Sequence, residues 1–219
     1  MLGSGEYLNI VALVDNKNIK ERISLFLHEI LNKDIKIKSI CFYNTENTDT
    51  FYGDIDDLNK YCLNCVELEY KNITFELNRL TLKNNTENIS LDFNYTNLFE
   101  EEDTLRVESN SKFIEKIAII FFDKMKALHG KMMIENFIDI ENIIFTSDKA
   151  YYSKIFNTKE FNLLEKIEKD AIYLKKYSDG SFYIRETAIG DFSYSKKFDN
   201  MLQSKIREIL YNYLGYNIK

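Results

Sequence analysis

The hydrophobic positions of the chain follow two rhythms, one of alternate residues and one of three- and four-residue steps, and each marks a different element. Residues 7–14 (YLNIVALV) form a near-continuous apolar run, which predicts a strand covered on both faces. Residues 17–31 then place Ile19, Ile23, Phe26, Leu27 and Ile30 on one helical face, with Asn16 or Asn18 as the N-cap. A second strand over 35–43 follows, and the length of the crossover predicts a β-α-β unit with parallel strands. A short helix is expected over 54–64, with Asp54 as its N-cap and Ile55, Leu58 and Tyr61 inward. Residues 66–70, 73–82 and 89–95 alternate apolar with polar side chains, which predicts a three-stranded antiparallel meander with one wet face.

The most apolar stretch is 111–130, SKFIEKIAIIFFDKMKALHG. Phe113, Ile114, Ile117, Ala118, Ile120, Phe121, Met125 and Leu128 recur at helical steps, and Ile119 and Phe122 widen the stripe. Ser111 is the expected N-cap, Lys124 and Lys126 suit the carbonyl end, and Gly130 is the expected left-handed C′ residue. The segment is too short and too interrupted by charge to span a membrane. Beyond it, strands are expected over 132–138 and 143–146, and short helices over 148–156 and 159–167. Residues 171–177 and 181–187 should pair as a hairpin around Ser178-Asp179-Gly180. A closing helix over 195–214 turns Phe198, Leu202, Ile206, Ile209, Leu210 and Tyr213 inward, with Gly215 after its end.

These elements specify an α+β protein: mixed β-sheet with β-α-β units and an antiparallel meander, packed around a long central helix. Residues 1–219 read as one composite domain, since no proline- or glycine-rich linker divides them. A strand–helix–strand order repeats faintly, which would split the chain into lobes of about 1–88 and 89–219.

Composition changes this picture only a little. At 219 residues, 45% hydrophobic and 29% charged, the chain can bury a substantial core. It contains no proline or tryptophan and much Asn, Lys, Ile and Tyr, a bias of A/T-rich coding that weakens arguments from any single Asn or Lys. Net charge is −6, unevenly spread: residues 1–110 hold 11 Lys+Arg against 20 Asp+Glu, residues 111–219 hold 18 against 15. An acidic front half disfavours nucleic acid and suits a basic protein partner, although a plain acidic surface explains it too. The N-terminus has no basic region followed by an apolar run and a small-residue cleavage site. Three cysteines, Cys41, Cys62 and Cys65, are too few for a disulfide scaffold, so a cytoplasmic protein is expected.

Candidate chemistries are thin. Cys62 and Cys65 have C-x-x-C spacing, but at the expected end of a helix the dipole would raise rather than lower a thiol pKa. As a zinc half-site the pair lacks a second ligand pair, with only Cys41, His28 and His129 left to recruit. Neither histidine sits in a recognisable catalytic frame, and His129 is explained by a helix C-terminus. Asp54, Asp56 and Asp57 lack the remaining ligands and glycine of a calcium loop and read as an N-cap with acids in the first turn. Gly3-Ser4-Gly5 precedes a strand rather than joining a strand to a helix, so it makes no phosphate cradle. No catalytic residue, metal or cofactor is assigned. Glu100, Glu101, Glu102 and Asp103 are different in kind, four consecutive acids that cannot be buried without paired cations. They read either as a solvated loop or as an anionic surface that captures a cationic protein.

The strand at Gly5-Glu6-Tyr7-Leu8-Asn9-Ile10, the acidic loop before a long helix and an expected helix at Asp148-Lys149-Ala150-Tyr151-Tyr152 together resemble the immunity proteins of bacterial polymorphic-toxin systems. The resemblance lies in size, acidity and element order over most of the chain, and none of its motifs is diagnostic. It implies a cytoplasmic α+β protein that binds and neutralises one cognate toxin, without catalysis, nucleic acid or membrane. The best partner-binding residues are then Glu100, Glu101, Glu102 and Asp103. Two alternatives stay open: a small hydrolase-type enzyme with an acidic site, or a structural or regulatory protein of a mobile element.

Overall fold

A computed structural model describes residues 7–43, 49–81, 86–99, 104–134, 148–191 and 200–215. Strand β1 (Tyr7–Asp15) leads into helix α1 (Ile19–Leu31) and strand β2 (Ile35–Tyr43). A short strand β3 (Thr50–Tyr52) and a 3-10 turn (Ile55–Asn59) precede the meander β4 (Cys62–Tyr70), β5 (Ile73–Thr81) and β6 (Thr86–Asn94). Helices α2 (Thr96–Phe99) and α3 (Thr104–Met125) lead to β7 (His129–Ile134). The rest comprises β8 (Lys149–Tyr152), α4 (Leu163–Ile167), β9 (Tyr173–Lys176), β10 (Phe182–Arg185) and α5 (Asn200–Leu214).

Among the described residues, ten strands form one sheet in the order β3-β2-β4-β5-β6-β1-β7-β8-β10-β9. Every pairing in it is antiparallel, which corrects the expected mixed sheet. The β-α-β expectation fails for a definite reason. Strands β1 and β2 do point the same way, but β4, β5 and β6 lie between them. Similarly β6 and β7 flank β1 rather than each other. The two crossovers run in opposite directions from oppositely directed strands, so a common handedness places α1 and α3 on the same face of the sheet.

That inner face is the main core. Leu8, Ile10, Ala12 and Val14 of β1 meet Ile23, Phe26, Leu27 and Ile30 of α1 and Ile114, Ile117, Phe121 and Phe122 of α3. Phe26 and Phe121 pack edge to face with ring centroids 5.3 Å apart. The long helix therefore covers one side of the sheet and is not enclosed by strands. On the outer face, Val11 and Leu13 join a second core with Tyr152, Phe156, Phe182, Ile184, Leu163, Ile167, Ile206 and Leu210. Among the described residues this cover reaches across β1, β7, β8 and β10 to Leu174 of β9. The outer face of β4, β5 and β6 keeps the polar side of its alternation half exposed, as expected of the meander.

The ends of α3 differ from expectation. The helix begins seven residues before Ser111, with Lys112 bonding Glu108 one turn earlier at 2.6 Å and buried Asn110 donating to the Leu98 carbonyl at 3.1 Å. It closes at Lys126, whose φ of 49° is the left-handed value. The Lys126 and Ala127 N–H groups bond the Asp123 and Phe122 carbonyls, which is a Schellman closure. Gly130 instead lies in β7, opposite Ala12, where an added Cβ would stand 2.2 Å from the Phe122 ring. It is needed for close packing between strand and helix, not for a turn.

Further corrections follow chain order. Asn18 adopts a left-handed conformation before α1 without a side-chain cap bond. The helix expected over 54–64 is only the 3-10 turn, so Cys62 and Cys65 lie on β4. The helix expected over 148–156 is strand β8 followed by a 3-10 turn (Lys154–Phe156), and 159–167 is helical only in α4. The hairpin forms as β9 and β10, with Gly180 at φ 88°. In α5, Ile206 and Leu210 are buried while Tyr213 faces solvent, and Gly215 follows at φ 77°. Residues 143–146 and Phe198 lie outside the described residues.

Candidate interaction surface

The uncovered half of the outer sheet face carries a line of acids across three strands. Register places Glu67 of β4 opposite Glu76 of β5, Glu76 opposite Asp92 of β6, and Asp92 opposite Asn9 of β1. Side chains at such positions are about 4.5–5.5 Å apart at Cβ, and like charges there destabilise a sheet. The two ends of the line are dressed. Asp92 accepts from the Asn9 and Asn78 amides, each at 2.6 Å. Glu67 accepts from the Ser39 hydroxyl at 3.4 Å and lies 3.5 Å from the Lys38 ammonium, which also reaches Glu69 at 3.7 Å. The middle carboxylate, Glu76, has no partner among the described residues. By contrast the buried Glu87 is fully matched, taking two bonds from the Arg79 guanidinium at 2.5 and 2.7 Å. The surface is thus anionic by its exposed side chains, not by a buried charge that needs satisfying.

Cys65 lies beside this line, facing Cys41 across β2 and β4. Burial first, then the neighbouring Cys41 and the Glu76 carboxylate, push its thiol up to about 11. A thiol so raised is protonated at neutral pH and a poor nucleophile, and on β4 no helix dipole acts on it. Among the described residues no group of three or more His, Cys, Asp and Glu is placed to hold a metal ion. His28 is exposed on α1, and its Nδ1–H donates to the Ser24 carbonyl at 2.8 Å. His129 is in β7 rather than at a helix end. Its Nδ1–H donates to the Tyr151 carbonyl at 2.7 Å, and its ring packs on Tyr152 under the outer core. The two histidines sit on opposite sides of the sheet. Asp54 and Asp57 form a reciprocal capping box at the 3-10 turn, as expected of an N-cap.

The sequence-predicted contact residues Glu100, Glu101, Glu102 and Asp103 lie outside the described residues, between α2 and α3 in chain order. Gly3-Ser4-Gly5 also lies outside them. Two polar features had no sequence signal. Lys149 is fully buried and donates to Asp148 at 2.8 Å, the Thr187 hydroxyl at 2.6 Å and the Asp191 carbonyl at 2.5 Å. Burial lowers its pKa and Asp148 partly restores it. Three acceptors around one ammonium leave no lone pair for base chemistry, so the lysine ties β8 to the turn after β10. Lys131 is buried on the outer face of β7 between Val11 and Ala150, with no partner among the described residues, and desolvation lowers its pKa to about 8.

No helix among the described residues is long and apolar enough to cross a membrane. No family model and no curated protein matches the chain. Among solved structures, the fold is similar to that of a Pseudomonas aeruginosa T6SS protein, with a TM-score of 0.52 and 7% identity over 93% of this chain and 73% of that one. At that identity the likeness is one of fold.

Proposed function

We propose that this chain is an inhibitory binding protein, an immunity protein that captures a cognate toxin domain of basic surface and blocks it without catalysis of its own. The observation that carries the reading is the register line Glu67–Glu76–Asp92 on a sheet face that nothing in the described fold covers. In-register acids work against folding, so a binding role accounts for them better than stability does. The fold-level likeness to a T6SS protein is compatible with a toxin-system role. Among the described residues, the buried Lys149–Thr187 pair is spent on structural bonds.

The test is binding kinetics with the product of the adjacent gene. Replacing Glu67 and Glu76 by Gln and Asp92 by Asn should slow association about tenfold at low salt and flatten its salt dependence. Dissociation should change less, because exposed charges act over about 8–10 Å at physiological ionic strength. A parallel variant with Glu100, Glu101, Glu102 and Asp103 reversed to Lys measures the share of those four acids. Unchanged association in the sheet variant would remove the face from the interface. No binding to any neighbouring gene product would sink the toxin reading.

A further inference from the structure

Beyond the acidic face, and resting on the binding-protein reading above, we infer that the open edge of β2 is a strand-addition site for an extended, basic segment of the partner protein. Strand β2 runs from Ile35 to Tyr43 and pairs with β4 along its length. On its other side β3 pairs only with Cys41, Phe42 and Tyr43. One more bond, from the Gly53 N–H to the Ile40 carbonyl at 3.1 Å, ends the contact. The chain then turns away into the 3-10 turn. Ile35 to Ser39 therefore have no strand on that side among the described residues, a length of about 16 Å at 3.3 Å per residue. Unpaired N–H and C=O groups on such an edge are a template for another strand.

The turn leaves room for one. Between Ile37–Ile40 of β2 and the segment Gly53–Asp56 lies a groove of 460 Å³, within the range of about 300–1,000 Å³ usual for binding sites. Its walls are set before any guest arrives. The Asp54–Asp57 capping box fixes the turn, and the Lys20 ammonium ties the Asn59 carbonyl to α1 at 3.2 Å. A side chain at Gly53 would crowd this rim, since a Cβ would stand 2.7 Å from the Asp57 carboxylate and 3.0 Å from the Phe42 ring. A rigid rim lowers the ordering cost of binding.

The edge carries two of the usual guards, the exposed Lys36 and a bulge at Lys38, and the second is drawn aside. A register shift between Ile37 and Ser39 leaves Lys38 without a partner in β4, and its ammonium reaches over the outer face to Glu67 and Glu69. Its stem lines the groove while its charge is drawn to those two carboxylates. Ile37 and Ile55 offer apolar contact, while Asp54 and Asp56 stand exposed at the mouth, and Asp56 has no partner among the described residues. An entering strand that alternates apolar and cationic side chains matches Ile37, Ile55 and the two aspartates; an acidic strand meets like charge at the mouth.

The probe is a blocked hexapeptide of alternating Val and Lys, titrated into the isotopically labelled protein and followed by amide shifts and hydrogen exchange. Two controls carry the same side-chain spacing: one with alternate backbone amides N-methylated, one with Glu in place of Lys. Expected are saturable shifts and new amide protection within Lys36–Ile40, with both controls at least tenfold weaker. Asp56→Lys should weaken the Val-Lys peptide tenfold with an unchanged spectrum elsewhere. Equal binding of the N-methylated peptide would reduce the effect to charge alone and overturn strand addition. Shifts confined to the Glu67–Asp92 line, no saturable binding, or an edge-to-edge dimer in sedimentation would overturn it as well. If Asp56→Lys binds the adjacent gene product normally, the edge site fails while the binding-protein reading stands. If the peptide seats but no gene product binds, the reverse holds.

Discussion

The outer face of the sheet has two halves that share one backbone and one inner layer yet differ in everything that touches solvent. Over β1, β7, β8 and β10, α4 and α5 close a second core, so Val11, Leu13, Tyr152, Phe182 and Ile184 are buried. Over β4, β5 and β6 no helix among the described residues follows, and the same alternation presents Glu67, Glu76 and Asp92 to water. Strand β1 is the boundary. Its Asn9 belongs to the acidic line, while Val11 and Leu13, two and four residues on, belong to the core. The difference teaches that the sheet's stability rests on the shared inner layer, which frees the open half to carry charge that does not help it fold.

The largest expected effect tests that shared layer. Phe121 is fully buried against Phe26 and Phe122. Phe121→Ala should cost about 3–5 kcal/mol by denaturant unfolding, from lost transfer energy and the cavity left behind. A loss below about 1 kcal/mol would mean that α3 does not anchor both halves.

The second concerns the covered half, where Lys131 is the exception to an apolar face. Its folded pKa of about 8 lies below the unfolded value of 10.5, so between these pH values the unfolded chain binds the extra proton. The penalty for burying this lysine should therefore shrink from pH 8 to 10.5, by up to about 3 kcal/mol at 1.36 kcal/mol per pH unit. It is read as the stability difference between wild type and a Lys131 variant, because the raised pKa values of Cys65 and the buried tyrosines pull total stability the other way in the upper part of this range. Lys131→Met should be more stable at pH 7 and lose that slope. Equal slopes in both proteins would show that the amine is solvated and that the cover over β7 is looser than described.

The smallest effect belongs to the open half. Glu76→Gln removes the middle charge of the line and should stabilise by roughly 0.2–1 kcal/mol at low salt. The gain should vanish near 1 M salt, where screening acts within about 3 Å. A destabilisation above 1 kcal/mol would reveal a hidden cation on Glu76 and break the contrast between the halves.

Local pattern carried much of this architecture. The unbroken apolar run of β1 did mean burial on both faces, because one face meets α1 and α3 and the other meets the second core. The inward face of α1, the wet alternation of the meander and the Asp179-Gly180 hairpin are likewise written in nearest-neighbour chemistry, where side-chain period and turn geometry act over a few residues. Pattern could not choose strand partners. The bond from Asn9 to Asp92 spans 83 residues, and nothing in an apolar run says whether its neighbour is the next strand or the sixth. Tertiary packing also moved the glycine: Lys126 tolerates the left-handed closure of α3, while Gly130 is reserved for the Phe122 ring. The acidic run at Glu100–Asp103 was visible because its charges are consecutive. The line Glu67–Glu76–Asp92 was not, because its charges lie on three strands and become neighbours only when register is set, and register is a property of the whole sheet.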